Sequence, residues 1–235
     1  MQRKEFLKNF SLGTTLIPML ASCSEDDSIE DAIDSGTDSG ACVITDTETD
    51  GPYPLYNSRG SSINRIDITD GREGIPLSMT ITVKNVNDSC NIIENVRVDI
   101  WHCDKDGYYS GYTNSGFLGT QNNTAKIFCR GLQYSDANGV VKFTTIYPGW
   151  YQGRVTHIHV QVYVGSTLKL TSQIAFPEEV NTEVYNSTLY VAHGQNSTKN
   201  STDNIIQDSL DNELATVVKN SSGSYDLAHT LYISA

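Results

Sequence analysis

An all-β fold, an antiparallel sandwich with short or no helices, is what this sequence of 235 residues predicts. Three observations carry the prediction. Short apolar runs recur with a period of two, the period of a strand with one buried face. Turn dipeptides punctuate them: Asn87-Asp88, Asp106-Gly107, Asn138-Gly139 and Pro148-Gly149. Long stretches of helical period are missing, and many short strands with few helices are the pattern of a sandwich.

Taken in order, residues 1–22 read as an export signal. Arg3, Lys4 and Lys8 form a basic start, Phe10 to Leu20 is mostly apolar, and Leu20-Ala21-Ser22-Cys23 matches a bacterial lipobox with Cys23 as the lipidated residue. The apolar run is too short to span a bilayer comfortably. Arg3-Lys4 also resembles a twin-arginine signal with lysine as the second base. The protein is therefore expected to be exported and anchored by lipid in a bacterial envelope, facing the periplasm or the cell surface. Residues 23–41 follow as an acidic, disordered linker: Glu25 to Asp38 holds seven acids and no base.

Residues 42–235 are expected to form the folded domain. Met79, Ile81 and Val83 alternate with Thr80, Thr82 and Lys84, and Val96, Val98 and Ile100 alternate with Arg97, Asp99 and Trp101. Val141 and Phe143 mark a run that ends at Ile146. Further runs cover Leu168 to Phe176 and Glu213 to Val218, and Tyr225 to Ile233 closes a hairpin across Ser221-Ser222-Gly223. Ile206, Leu210 and Leu214 are spaced for a short helix within Asp203 to Leu214. Asn122, Asn186, Asn196, Asn200 and Asn220 head Asn-x-Ser/Thr triplets that mark polar loops.

A net charge of −12 with no basic stripe excludes nucleic acid as a partner. With Cys23 lipidated, Cys42, Cys90, Cys103 and Cys129 are left, and an exported protein can oxidise them in any of three complete pairings. The absence of Cys-x-x-Cys argues against a zinc ribbon.

The densest chemistry lies in Tyr147 to Val162, YPGWYQGRVTHIHVQV. Strand alternation puts His157, His159 and Gln161 on one face and Ile158, Val160 and Val162 on the other. Two neutral imidazoles side by side suit a transition metal, and the nearby phenol of Tyr151 favours a hard ion such as ferric iron.

Two other segments join this one: Val98 to Tyr112, which contains Asp104-x-x-Gly107-x-Tyr109, and Arg130-Gly131 running to Asn138-Gly139. In this order and at these separations the three resemble the intradiol ring-cleavage dioxygenases, and Gly51-Pro52-Tyr53 resembles the family's Gly-Pro segment upstream of the active site. The resemblance covers about Cys42 to Phe176 well and the C-terminus loosely. It implies a non-haem Fe(3+) enzyme that cleaves a catechol between its hydroxyl-bearing carbons with dioxygen, giving a muconate-type diacid. It implies Tyr109, Tyr151, His157 and His159 as metal ligands, with Tyr108 as the competing register for the first. It implies Tyr151 as the ligand that leaves the metal and takes a substrate proton, and Arg154 as a fixed cation beside the ring. It also implies Gln173 as the residue that orients a ligand or Arg154.

His102 reads as a hydrogen-bonded structural histidine, and Trp150 as either pocket wall or core. The family's helical N-terminal dimerisation segment has no counterpart in the acidic linker, so the resemblance implies no oligomeric state. A shorter loop between Tyr151 and His157 predicts an open pocket, suited to a small catechol or a polyphenol fragment. The rivals are weaker. A cupin or a two-histidine, one-carboxylate site needs an acid near His159, and Val160 to Thr167 contains none. The alternative of another class is a non-catalytic surface lipoprotein whose sandwich binds carbohydrate or a partner.

Overall fold

A computed structural model describes residues 42–54 and 59–235. The expected export signal, Cys23 and the acidic linker lie outside the described residues. The strands are β1 (Pro76–Asn85), β2 (Asn91–Ile92), β3 (Arg97–Trp101), β4 (Thr113–Gly116), β5 (Gly119–Asn122), β6 (Arg130–Tyr134), β7 (Val140–Ile146), β8 (His157–Val164) and β9 (Thr167–Ala175). Two short helices follow, α1 (Glu178–Tyr185) and α2 (Leu210–Glu213), and then β10 (Thr216–Lys219) and β11 (Tyr225–Ile233).

Two sheets stack as a sandwich. One runs β10-β11-β1-β2, with β7 also paired to β1, and the other runs β6-β3-β8-β9; β4 and β5 form a separate hairpin. The alternations read from the sequence point inward. Met79, Ile81, Val83, Val141, Phe143, Leu227 and Leu231 from the first sheet meet Val98, Ile100, Ile158, Val160, Val162, Leu170 and Ile174 from the second. Each fully buried aliphatic side chain of this kind contributes about 1.5–3 kcal/mol relative to exposure. This core fixes which face of β8 carries the histidines, because a slip of one residue would turn Ile158 and Val160 outward.

Most pairings are antiparallel. Among the strand ladders of the described residues the exception is β1 with β11, which run parallel from Leu77↔Tyr225 to Asn85↔Ile233. Periodicity carries no information about strand direction, and here the two partners lie at opposite ends of the domain.

The helix expected over Asp203 to Leu214 is confined to Leu210–Glu213. Asp203 spends its carboxylate on the amides of Val155 and Ile205 and on Arg154, and the segment up to Ser209 is turns. Burial does not follow a helical stripe either: Ile206 and Glu213 are buried whereas Leu214 is exposed. Glu213 thus ends a helix instead of opening a strand. The Asn-x-Ser/Thr asparagines do sit outside the strands, apart from Asn122 at the end of β5. Asn196 and Asn200 are buried and donate to the carbonyls of Arg154 (2.8 Å) and Phe176 (3.0 Å).

Of the three possible cysteine pairings none is complete: Cys42 and Cys90 form a disulfide, and Cys103 and Cys129 are buried thiols. The bridge closes a loop with a sequence separation of 48. Chain-entropy arguments give such a loop about 4 kcal/mol of stabilisation. Urea unfolding of the domain with and without reductant is expected to differ by that order, and Cys42→Ser should remove the difference.

Glu213 has no exposed surface, and it accepts hydroxyls from Ser172 (2.8 Å) and Ser209 (2.7 Å). Burial, and further the Glu48 carboxylate, push its pKa up to about 7 against those hydroxyl bonds. The folded state therefore holds this proton more tightly than the unfolded chain. Its contribution is largest below pH 4.5, declines as pH rises to about 7 and is flat above. Glu213→Gln should remove a fall on the order of 2–3 kcal/mol from the stability–pH curve between those limits, as measured by denaturant unfolding at pH 5 and pH 8.

Candidate metal centre

The centre is built on the face of β8 turned away from the core. Four residues of four neighbouring strands stand in one row across it: Arg130 of β6 opposite Trp101 of β3, Trp101 opposite His159 of β8, and His159 opposite Gln173 of β9. The Trp101 ring stacks on the His159 imidazole with centroids 5.0 Å apart and planes within 4°. Gly51 covers the imidazole, and a Cβ there would lie 2.8 Å from His159 Cε1.

His157 donates from Nδ1 to the Val155 carbonyl (2.6 Å), which leaves a lone pair on Nε2. That Nε2 is 3.1 Å from His159 Nε2 and 3.3 Å from the Tyr151 hydroxyl. Burial first, then the charge of Arg154, pushes the His157 pKa down to about 3. Burial and the His157 neighbour hold His159 well below its ordinary value. Both imidazoles are neutral near pH 7 and ready to act as ligands.

Two loops deliver the phenols. Asp104 caps the turn before Tyr109: its Oδ1 accepts the amides of Asp106 (3.1 Å) and Tyr108 (3.0 Å). The second loop locks onto the first where the Gly149 amide donates to the Asp104 carbonyl (3.0 Å). A Cβ at Gly149 would run into the Lys105 carbonyl, and one at Gly107 into the Trp150 carbonyl. This backbone contact sets the Tyr109 ring edge-on to Tyr151, with centroids 5.7 Å apart, and 6.1 Å from the His159 ring.

The two adjacent tyrosines differ in hydrogen bonding. The Tyr108 hydroxyl accepts from the Leu118 amide (2.6 Å) and donates to the Gly119 carbonyl (2.8 Å), so it is fully used. The Tyr109 hydroxyl is buried and has no hydrogen-bond partner, and the same is true of His159 Nδ1 and Trp101 Nε1. Burial, then the neighbouring Tyr151, raises the Tyr109 pKa well above its ordinary value, and burial pushes Tyr151 up to about 12 despite the Arg154 charge.

The donor set fits a hard, highly charged cation. Two donors bonded at about 2.1 Å to one ion, at a right angle, stand about 3 Å apart, and the His157–His159 and His157–Tyr151 separations are of this size. Among the described residues no group of three His, Cys, Asp or Glu side chains is placed to hold a metal, so the two-histidine, one-carboxylate rival has no third ligand.

Arg154 lies beside these four residues. Its Nε donates to both carboxylate oxygens of Asp203 (3.1 and 2.9 Å), and its Nη2 donates to Gln173 Oε1. Gln173 in turn donates from Nε2 to the Thr49 carbonyl (3.0 Å). Burial works to raise the Asp203 pKa, but the Val155 amide and Arg154 outweigh it and hold the carboxyl below its usual range.

Sequence reasoning missed Asp203, Arg130 and Trp101. Arg130 is buried and donates to the Ser110 carbonyl (2.8 Å) and the Tyr53 carbonyl (2.7 Å). It thereby ties the Tyr109 loop to the Gly51–Tyr53 segment, where Tyr53 stacks on Tyr109 with centroids 4.6 Å apart. Burial pushes the Arg130 pKa down to about 10. Arg130 was visible as the first residue of the Arg130-Gly131 motif; its role was not. His102 is structural as expected, bonded to the Cys103 carbonyl and to Thr145 Oγ1 (both 2.8 Å). Trp150 packs against the core and stacks on His193 with centroids 4.2 Å apart.

The chain has the fold of the intradiol ring-cleavage dioxygenases. Among solved structures it is similar to an intradiol ring-cleavage dioxygenase from Tetranychus urticae, at 27% identity and a TM-score of 0.72, over 82% of this chain and 95% of that one. It is also similar to the dioxygenase domain of a dioxygenase–carbohydrate-binding fusion from Streptomyces sp. SirexAA-E (24% identity, TM-score 0.59, 82% and 99% of the two chains). A third is 3-chlorocatechol 1,2-dioxygenase from Rhodococcus opacus 1CP (18% identity, TM-score 0.53, 81% and 72%). The last two likenesses concern the fold alone. No protein-family model and no curated protein matches the chain.

The two adjacent tyrosines should separate by stability in the metal-free protein. Tyr108→Phe is expected to cost about 1–2 kcal/mol, because it leaves the Leu118 amide and the Gly119 carbonyl without their partner. Tyr109→Phe is expected to be neutral or stabilising, because it removes a buried hydroxyl that has no partner. Urea unfolding of both variants checks this.

Proposed function

We propose that the protein is a non-haem iron(III) intradiol dioxygenase that opens a catechol-type ring between its two hydroxyl-bearing carbons. Both atoms of dioxygen enter the product, a muconate-type diacid. The observation that carries the reading is the convergence of the Tyr151 hydroxyl and the Nε2 atoms of His157 and His159 beside the buried, partnerless hydroxyl of Tyr109. Ferric iron held by these four residues would supply the Lewis acidity and redox partner that let a catecholate react with dioxygen.

The residues divide the remaining work. Tyr109, fully buried beneath Tyr53, is a fixed phenolate donor. Tyr151 is only partly buried and sits on a loop whose neighbours Gln152 and Gly153 are exposed, so its oxygen is the one able to move and accept a proton from an arriving catechol hydroxyl. The Nδ1–H of His157, anchored on the Val155 carbonyl, keeps its ring in one tautomer and orientation. Arg154 offers a fixed positive charge to the negative charge that develops on the ring, a preorganised form of stabilisation. Gln173 and Asp203 hold that guanidinium on two sides. The substrate class extends in this reading from simple catechols to catechol groups of polyphenol fragments. The N-terminal sequence supports export and lipid anchoring through Cys23, which would present the site outside the cytoplasm.

The test is a visible spectrum and an iron assay on the protein beginning after Cys23, followed by catechol under nitrogen and then air. A tyrosinate-to-iron band that moves to longer wavelength with catechol, and a ring-opened diacid on admitting air, are expected. Tyr109→Phe and His159→Ala should abolish product, and Tyr109→Phe should weaken and shift the tyrosinate-to-iron band, which Tyr151 alone would then supply. A protein that stays colourless after iron reconstitution and leaves catechol unchanged would replace this reading with the non-catalytic binding module.

A further inference from the structure

Asp203 lies 49 residues beyond Arg154, in a stretch of turns between the two helices. It has no exposed surface. Its two oxygens take the Nε–H of Arg154, the amide of Val155 (2.8 Å) and the amide of Ile205 (2.9 Å). The same stretch grips Arg154 a second time, where Asn196 donates to the Arg154 carbonyl (2.8 Å). With Nε committed to Asp203 and Nη2 to Gln173, the Nη1 group makes no hydrogen bond among the described residues. It is the part of the guanidinium left for a ligand.

A buried guanidinium–carboxylate pair is seldom more stabilising than apolar packing of the same volume. What the pair does supply is direction. Arg154 is within electrostatic reach of both Tyr109 and Tyr151. A guanidinium without an anchor would turn towards whichever oxygen is most negative before any substrate arrives. Held by Asp203 through Nε, it stays where it stands.

Resting on the ring-cleavage reading above, we infer that Asp203 is a positioning residue for the reaction, acting through Arg154 by fixing the Nε edge of its guanidinium so that the Nη1 edge faces substrate. Such a residue touches neither iron nor catechol. Its removal should slow the chemical step, because small misplacement of a catalytic group costs rate out of proportion to the displacement.

The test is a double-mutant cycle on the iron-loaded protein with Asp203→Asn and Arg154→Gln, singly and together. It is read as kcat and KM for catechol, and as the visible spectrum with and without catechol under nitrogen. Asp203→Asn is expected to keep the iron, the colour and the spectral response to catechol. Its kcat should fall roughly tenfold to a hundredfold with little change in KM, and the double variant should be no slower than Arg154→Gln alone. Wild-type kcat in Asp203→Asn, additive losses in the double variant, or loss of iron and colour would each overturn the inference. Should asparagine at 203 prevent folding, Arg154→Ala carries the same question. Free guanidinium should restore its rate saturably in the cradle of Asp203 and Gln173, and ammonium should not; no restoration would overturn the inference. A wild-type protein that binds no iron and cleaves no catechol overturns the ring-cleavage reading and this inference with it. An active wild type with an indifferent Asp203→Asn overturns the inference alone.

Discussion

The contact between two loop backbones, Asp104 to Gly107 against Pro148 to Trp150, is the constraint on which the centre depends. The histidines need only a strand, because alternation along β8 places them together once its other face is in the core. The tyrosines have no such common element. Tyr109 and Tyr151 come from loops 42 positions apart in the sequence, and they meet because Gly107 and Gly149 let carbonyl groups approach where a side chain would stand. The hydrogen bond from Gly149 to Asp104 then fixes the distance. A single methyl at either glycine would push the loops apart and take one phenol out of reach of the imidazoles.

Without a cation the centre is an uneasy arrangement. Buried polar groups cost free energy when unpaired, and Tyr109, His159 and Trp101 each keep such an atom in one small region. In the Nδ1–H tautomer of His159, two imidazole lone pairs face each other across 3.1 Å. The sandwich core and the row Arg130–Trp101–His159–Gln173 hold these groups in place against that cost. A metal would engage the Tyr109 oxygen and the two facing Nε2 atoms, though not Trp101 Nε1 or His159 Nδ1, so occupancy and stability would be coupled through those ligand atoms.

The sandwich was legible because its strands obey one rule. Met79, Ile81 and Val83, or Ile158, Val160 and Val162, announce a buried face by alternation alone. The direction of β11 was not legible, because a strand's pattern is the same read either way. Nor was the disulfide: Cys42 and Cys90 meet through the tertiary path of the chain. The four candidate donors stood out because three short motifs occur together in a set order, and hydrogen bonding, which the sequence does not display, distinguishes Tyr108 from Tyr109. Asp203 escaped notice for a physical reason. A buried aspartate that serves a distant arginine leaves no local pattern, and the spacing of Ile206, Leu210 and Leu214 suggested a helix in its place. Arg130 was visible as part of a motif, but its task of tying Ser110 to Tyr53 exists only in three dimensions.

The Cys42–Cys90 bridge has a mechanical consequence. The segment after Cys42 first pairs with β11 at Thr45 and Tyr232 and then runs over the outer face of the second sheet, with Glu48 bonded to Thr171, Thr49 to Gln173, and Gly51 resting on His159. It is the roof of the centre, and it is held down by single hydrogen bonds and stacking. Any pull on the chain ahead of Cys42 would peel such a roof away one contact at a time. The covalent link to Cys90, beside β2 at the rim of the other sheet, intercepts that load before it reaches Glu48. The disulfide acts as a strain relief, like the clamp on a cable, and lets the protein be tugged from its N-terminal side while the roof over His159 stays shut.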